Sequence, residues 1–230
     1  MDNLTHFANN WKIRTGINNV MTRRIIEAYR YMDQNHIDEF FSTGKLKLST
    51  FKSNRDAEGI RNDKNEGITH FLVISKDQTK TLKIPTREGN GRLTLCTSFE
   101  LNLDKYLNYF KTNGCFKINQ IQGFAFEISK VLNMYRGGME GMIEYSERKE
   151  LVINLAHFPE LPDLNLRNEI WKGDNYKIIE YISKAELDLY FHKRTKFLAE
   201  DEYRLLWWTR RDHRLFITCP GAVKYCEKIT

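Results

Sequence analysis

Toward its C-terminus the chain reads TKFLAEDEYRLLWWTRRDHR (residues 195–214) and sets three acids, Glu200, Asp201 and Glu202, against the start of an apolar run. Glu200 and Glu202 stand two apart. In an extended segment that spacing turns both side chains to one side, so an E-x-E at the mouth of a strand places two carboxylates at one edge of a cleft. One can bind a ribose hydroxyl while the other handles an incoming nucleophile. The same acids before a strand also make a solvated turn that guards an apolar strand against aggregation. The residues alone leave both readings open. If Glu202 opens the strand, Glu202, Arg204, Leu206 and Trp208 share one face, and Tyr203, Leu205 and Trp207 the other. The stretch from Trp207 to Arg214 interleaves rings and cations, as a surface that holds single-stranded nucleic acid does, and its tryptophans serve equally well as core.

Short strands must position these groups. Residues 25–32, 45–51, 70–75, 82–85, 92–99, 123–128, 150–156, 176–182, 202–208 and 214–218 are rich in β-branched and aromatic residues, and several alternate with period two. Three helices stand out. Asn35 to Gly44 starts at a capping residue and stops at glycine. In 101–114, Leu103, Tyr106, Leu107 and Phe110 recur on one helical face, with Gly114 ending the run. Ser183 and Glu186 form a capping box that opens a third. The expected architecture is a single α+β domain over 1–230 with a mostly antiparallel β core and a few peripheral helices.

At 230 residues, 41% of them hydrophobic, the chain is long enough and apolar enough for one substantial core. No stretch approaches the roughly 18 apolar residues of a membrane helix, and the first residues lack a secretory apolar core. The four cysteines are scattered without a C-x-x-C pair, which reads as reduced thiols in a cytoplasmic protein. A net charge of +6 favours a polyanionic partner. The sequence holds no Walker loop, G-x-S-x-G elbow or H-E-x-x-H, and its dispersed histidines give no reason to expect a metal. The glycine-rich YRGGMEGM (135–142) lacks the strand–turn–helix order of a dinucleotide loop and reads as a mobile connection. The charge-rich loop 54–67 is either solvated or a lid, with Arg55 near phosphate and Asp56, Asp63 or Glu66 toward an acceptor.

Taken in order, Tyr29-Arg30-Tyr31, the Gly44 to Ser49 segment, Asn54-Arg55-Asp56, Cys96-Thr97-Ser98 and Glu200-Asp201-Glu202-Tyr203-Arg204 resemble the ADP-ribosyltransferase superfamily, and within it a bacterial toxin-type family. The resemblance spans about residues 25–208. The chain departs from that pattern in lacking the Asn-Asp-Pro-Phe run and in reading Cys-Thr-Ser for Ser-Thr-Ser. The resemblance implies an ADP-ribosyltransferase-type fold and NAD as ADP-ribose donor. Cleaving the nicotinamide–ribose bond passes through an oxocarbenium-like state, which carboxylates stabilise in glycosidases. On this reading Glu202 faces the developing cation and Glu200 orients or deprotonates the acceptor. Arg30, with Arg55, clamps phosphates; Tyr29 or Tyr31 stacks on nicotinamide or binds the ribose; Thr97 and Ser98 hold the ribose and the local strand. Asp56, Arg210 and Arg211 meet the acceptor, nucleic acid being favoured over protein and RNA over DNA. The resemblance also implies a toxin held by an antitoxin, including in antiviral defence. NAD glycohydrolysis and a non-catalytic nucleotide- or partner-binding domain are the alternatives.

Overall fold

The computed structural model describes residues 3–14, 27–56, 63–87, 91–133, 135–147, 150–165, 175–185, 190–209 and 215–229. The chain runs through α1 (Asn3–Asn10), β1 (Trp11–Ile13), β2 (Ala28–Met32), α2 (Gln34–Thr43), β3 (Lys45–Thr50), α3 (Phe51–Arg55), β4 (Ile68–Ile74), β5 (Thr81–Arg87), β6 (Arg92–Ser98), α4 (Leu103–Phe110), β7 (Gly114–Ile118) and α5 (Ile121–Val131). It continues through β8 (Gly137–Met142), β9 (Glu144–Ser146), β10 (Glu150–Asn154), α6 (Asn175–Ala185), β11 (His192–Arg194), β12 (Glu202–Trp208), β13 (Leu215–Thr218), α7 (Pro220–Val223) and β14 (Cys226–Ile229). This is a mixed α+β architecture. Its nine-stranded sheet follows the order β1-β8-β12-β6-β2-β7-β14, with β3 joined to β6 and β13 to β3. Every pairing in it is antiparallel except β1 with β8.

The period-two pattern of β12 sorts its side chains as expected. Tyr203, Leu205 and Trp207 enter one core with Phe7, Phe40, Phe124 and Ile128, whereas Leu206 joins Phe51, Met139, Tyr190 and Phe191 on the other face. Helices α1, α2 and α5 cover the first face. A second, smaller sheet (β10-β4-β5) packs with α6 over its own core of Phe71, Val73, Leu151, Ile153 and Ile178. No helix among the described residues is long and apolar enough to cross a membrane.

Two segments expected as strands are helices. In 123–128, Phe124, Ala125 and Ile128 are buried with Ile121, a three-to-four-residue repeat that seats α5 on the sheet. In 176–182, Ile178 and Tyr181 recur in the same way against the small core. Their aromatic and β-branched content indicates burial, which a helix face meets as well as a strand. Ser183, the expected start of a helix, lies in the last turn of α6. Glu186 lies outside the described residues. Helix α2 begins one residue before Asn35, and its Gln34 amide is capped from afar by Asn113 Oδ1 at 2.8 Å. It stops at Gly44 as expected, at φ +76°. Helix α4 buries its expected face on Tyr29 and Tyr31, but it ends at Phe110, with Lys111 left-handed, and Gly114 opens β7.

The YRGGMEGM segment is not a connection. It forms β8, inserted between β1 and β12. A methyl at Gly138 would sit 2.2 Å from the Trp11 ring and 2.4 Å from the Leu206 carbonyl oxygen. The glycine leaves the space that the Trp11 ring occupies against the strand.

Strand β6 creates the opening that matters. One of its edges pairs with β12 over its whole length, from Glu202 opposite Ser98 to Trp208 opposite Arg92. Its other edge is divided: β2 meets it at Ser98, and β3 meets it at Thr94 and Leu93. Between these two pairings the sheet parts, and a cleft of about 560 Å³ opens there.

Candidate active site

The registers place Glu202, Ser98 and Tyr29 in one row across β12, β6 and β2, so all three share a face of the sheet. Around this row the cleft is lined by β2 (Tyr29, Arg30, Tyr31), β6 (Cys96, Thr97, Ser98), Lys47 of β3, and Lys52 and Asp56 at α3. At its closed end stand Glu66, Lys193, Glu200 and Glu202. Four stretches far apart in sequence, 29–31, 47–66, 96–98 and 193–202, thus meet in one place.

Glu200 and Glu202 come together by a different route from the one their spacing suggests. Strand β12 does not extend back to Glu200, which ends a 3-10 turn over Thr195–Glu200. Asp201, left-handed at φ 43°, then reverses the chain into β12. Its carboxylate points elsewhere, accepting from Lys105 Nζ at 2.7 Å and Tyr106 Oη at 2.6 Å. Asp201 anchors the turn to α4 and leaves the cleft to its two neighbours. Ser98 secures the same turn, its Oγ donating to the Glu200 carbonyl at 2.8 Å, and Thr97 Oγ1 donates to the Tyr203 carbonyl at 2.7 Å. The hydroxyl strand therefore holds the acidic one in place.

The carboxylates are buried and shared among cations. Lys193 Nζ lies 2.6 Å from both Glu200 Oε2 and Glu202 Oε2, and 3.8 Å from Glu66 Oε2. Arg204 sets Nε 2.7 Å from Glu202 Oε1 and Nη2 2.7 Å from Glu66 Oε1. Its Nη1 donates to the Tyr190 carbonyl, and its guanidinium packs on the Phe51 ring. Burial works to raise Glu202, yet Arg204 and Lys193 overcome it and hold that carboxyl well below the usual range. Burial dominates at Glu200, which is pushed up to about 7 against the pull of Lys193. Both Glu202 oxygens are engaged by cations, Oε1 by Arg204 and Oε2 by Lys193.

The remaining expected residues divide. Arg30 lines the cleft and donates through Nη1 to the Cys96 carbonyl, on the edge of β6 that β2 and β3 leave open. Tyr29 and Tyr31 form the wall of the cleft more than its contents. Tyr31 is 3% exposed, its hydroxyl taken by the Asn102 amide and the Glu100 carbonyl, and the Tyr29 hydroxyl donates to Glu27. Asp56 lines the cleft, whereas Arg55 is not among its lining residues and donates to the Glu66 carbonyl at 2.6 Å. Asp63 is buried and accepts from the Asn65 amide in the turn that delivers Glu66. Arg210 and Arg211 lie outside the described residues. Trp207 is fully buried, its Nε1 donating to the Ala125 carbonyl, so it belongs to the core and offers no ring for stacking. Burial pushes the Cys96 thiol up to about 12, which removes it as a nucleophile at neutral pH.

Lys193 is the member that sequence reasoning missed, since HKRTK reads as a surface basic patch. Only the 3-10 turn between β11 and β12 folds it back onto the acids. Lys47 and Lys52 carry no sequence signal either, and with Arg30 they give the cleft cations on β3, α3 and β2. Comparison with protein-family models, curated proteins and solved structures finds no match to this chain.

Proposed function

We propose that this chain is an NAD-dependent ADP-ribosyltransferase. The observation that carries the reading is the convergence, on one cleft, of Arg30 from β2, Cys96-Thr97-Ser98 from β6 and the Glu200/Glu202 pair at the head of β12. The cleft falls within the roughly 300–1,000 Å³ of small-molecule sites. Its lining combines the carboxylates Glu66, Glu200 and Glu202 with the cations Arg30, Lys47 and Lys52, residue types that bind ribose hydroxyls and phosphates.

The chemistry follows from that lining. Glu202 stays ionised and lines the cleft that would take the ribose. As the bond from ribose C1′ to nicotinamide breaks, positive charge develops on the ribose, and a fixed, buried carboxylate binds that charge more tightly than it binds the ground state. Glu200 takes the acceptor's proton. Ser98 and Asp201 act through geometry by holding the turn that aims both acids.

RNA is the proposed acceptor, on the net charge of +6 and the Arg210/Arg211 pair that follows β12. An antitoxin partner and a role in antiviral defence come with the family resemblance and extend this proposal. The test is incubation with NAD labelled in its adenylate moiety and separate pools of RNA, DNA and protein. Label on RNA is expected, and label on protein alone would replace the acceptor. Nicotinamide release with no labelled product would make the enzyme a glycohydrolase, and intact NAD in every pool would overturn the reading.

A further inference from the structure

The buried cluster at the end of the cleft holds three carboxylates, Glu66, Glu200 and Glu202, against two cations, Lys193 and Arg204. All five are nearly inaccessible to solvent, from Arg204 at 0% to Glu200 and Lys193 at 6%. Fully ionised, it carries one surplus negative charge in a medium that screens poorly, and the least costly remedy is one bound proton. The ion pairs decide where that proton goes. Arg204 serves Glu202 and Glu66, and Lys193 touches all three acids. Glu200 alone has no ion pair with Arg204 and depends on Lys193. It is the least compensated acid.

We propose that Lys193 is a positioning residue that makes Glu200 the one proton-exchanging group of the cleft, by holding its carboxylate beside Glu202 and setting how tightly it keeps a proton. For the step this proton serves, the inference rests on the transferase reading; the charge balance and the ion pairs stand without it. In that step the acceptor's hydroxyl proton passes to the Glu200 carboxylate while the acceptor oxygen's lone pair forms the bond to ribose C1′. The electron pair of the breaking C1′–N bond leaves with nicotinamide, which departs neutral, and Glu200 then returns the proton to solvent.

Tyrosine, thiol, lysine and arginine groups of neighbouring elements surround Glu200 and its partners. Burial pushes Tyr109 of α4 and Tyr145 of β9 upward, and the Cys96 thiol of β6 up to about 12. Burial works against the charges of Lys193 and Arg204, but the surrounding carboxylates hold both well above their usual values. Asp201 is bound to Lys105 and Tyr106, and His192, next to Lys193 in the chain, pairs with Ser146 Oγ at 2.6 Å. Glu200 itself is pushed up to about 7, in agreement with its poor compensation by cations.

The experiment is a carboxyl-carbon NMR titration of protein labelled in glutamate, with the Glu200 signal assigned by its loss in Glu200→Gln. Wild type should show Glu200 titrating near neutrality. Lys193→Met should move the midpoint up by about 1–3 pH units, the effect of removing one adjacent opposite charge, and Lys193→Arg should restore it. The pH dependence of nicotinamide release should follow the same midpoints, a readout that a merely structural lysine would not move. A wild-type midpoint in the ordinary carboxylate range overturns the inference even if Lys193→Met fails to fold. So does a midpoint unchanged in Lys193→Met. The expected shifts without NAD turnover in wild type would support this inference while overturning the transferase reading, so the two failures are distinguishable.

Discussion

Replacing Glu200 with glutamine should change how stability depends on pH more than it changes stability itself. In the folded chain Glu200 is pushed up to about 7, chiefly by burial, from an ordinary value of 4.5. Between those two values the folded state holds a proton that the unfolded chain has released. A folded value raised above the unfolded one gives stability that is fully present below about pH 4.5 and is lost as pH rises through about 7. The slope approaches ~1.4 kcal/mol per pH unit, and the accumulated loss reaches at most ~3 kcal/mol. Glu202 has the opposite sign, since its folded value is depressed. Its contribution is present above 4.5 and is lost on acidification below that, outside the window in which Glu200 acts. The assay is urea unfolding of wild type and Glu200→Gln at pH 5, 6, 7 and 8, read as the difference between the two proteins at each pH. The six histidines are common to both and largely cancel in that difference. The variant should gain relative to wild type by ~2–3 kcal/mol on going from pH 5 to pH 8. A difference that stays flat across this range would mean that Glu200 is ionised throughout, and the charge reasoning for the cluster would be refuted.

Arg30→Ala should weaken NAD binding by roughly 1.5–3 kcal/mol if its guanidinium binds phosphate; unchanged affinity by calorimetry would make Arg30 a structural residue. Gly138→Ala should cost about 1–3 kcal/mol in chemical denaturation, because the new methyl collides with the Trp11 ring and backbone oxygen inside the sheet; wild-type stability would show that β1 is not seated on β8. Replacing Arg210 and Arg211 together with alanine should flatten the salt dependence of RNA binding by about 0.7 in log–log slope for each phosphate that is no longer neutralised. An intact slope with lowered thermal stability would make both arginines structural and remove the main support for an RNA acceptor.

Much of the frame was legible because strands such as β6 and β12 combine alternation with aromatic and β-branched residues between clear breaks. The ordering of Arg30, Cys96-Thr97-Ser98 and Glu202 could be read as well, since a sheet brings distant strands into register. What escaped reading has identifiable causes. Segments 123–128 and 176–182 are so rich in phenylalanine, isoleucine and tyrosine that composition masked a helical repeat. The glycines of 135–142 look like a loop until Trp11 and Arg14 fill the space they leave. Glu200 and Glu202 were paired by strand spacing, whereas a left-handed Asp201 joins a 3-10 turn to a strand and still delivers both carboxylates to Lys193. Lys193 carried no signal at all, because its role depends on a turn geometry that no spacing rule encodes.

We propose that a buried, ionised Glu202 drives cleavage of the nicotinamide–ribose bond. The direct measurement is single-turnover release of nicotinamide from NAD by wild type and by Glu202→Gln, with circular dichroism and unfolding midpoints recorded on the same preparations. Glutamine keeps the shape and loses the charge, so release should fall about 10²–10³-fold, the usual effect of deleting one preorganised electrostatic contact to a transition state, while the fold is retained. Release by a folded Glu202→Gln at the wild-type rate would contradict the account.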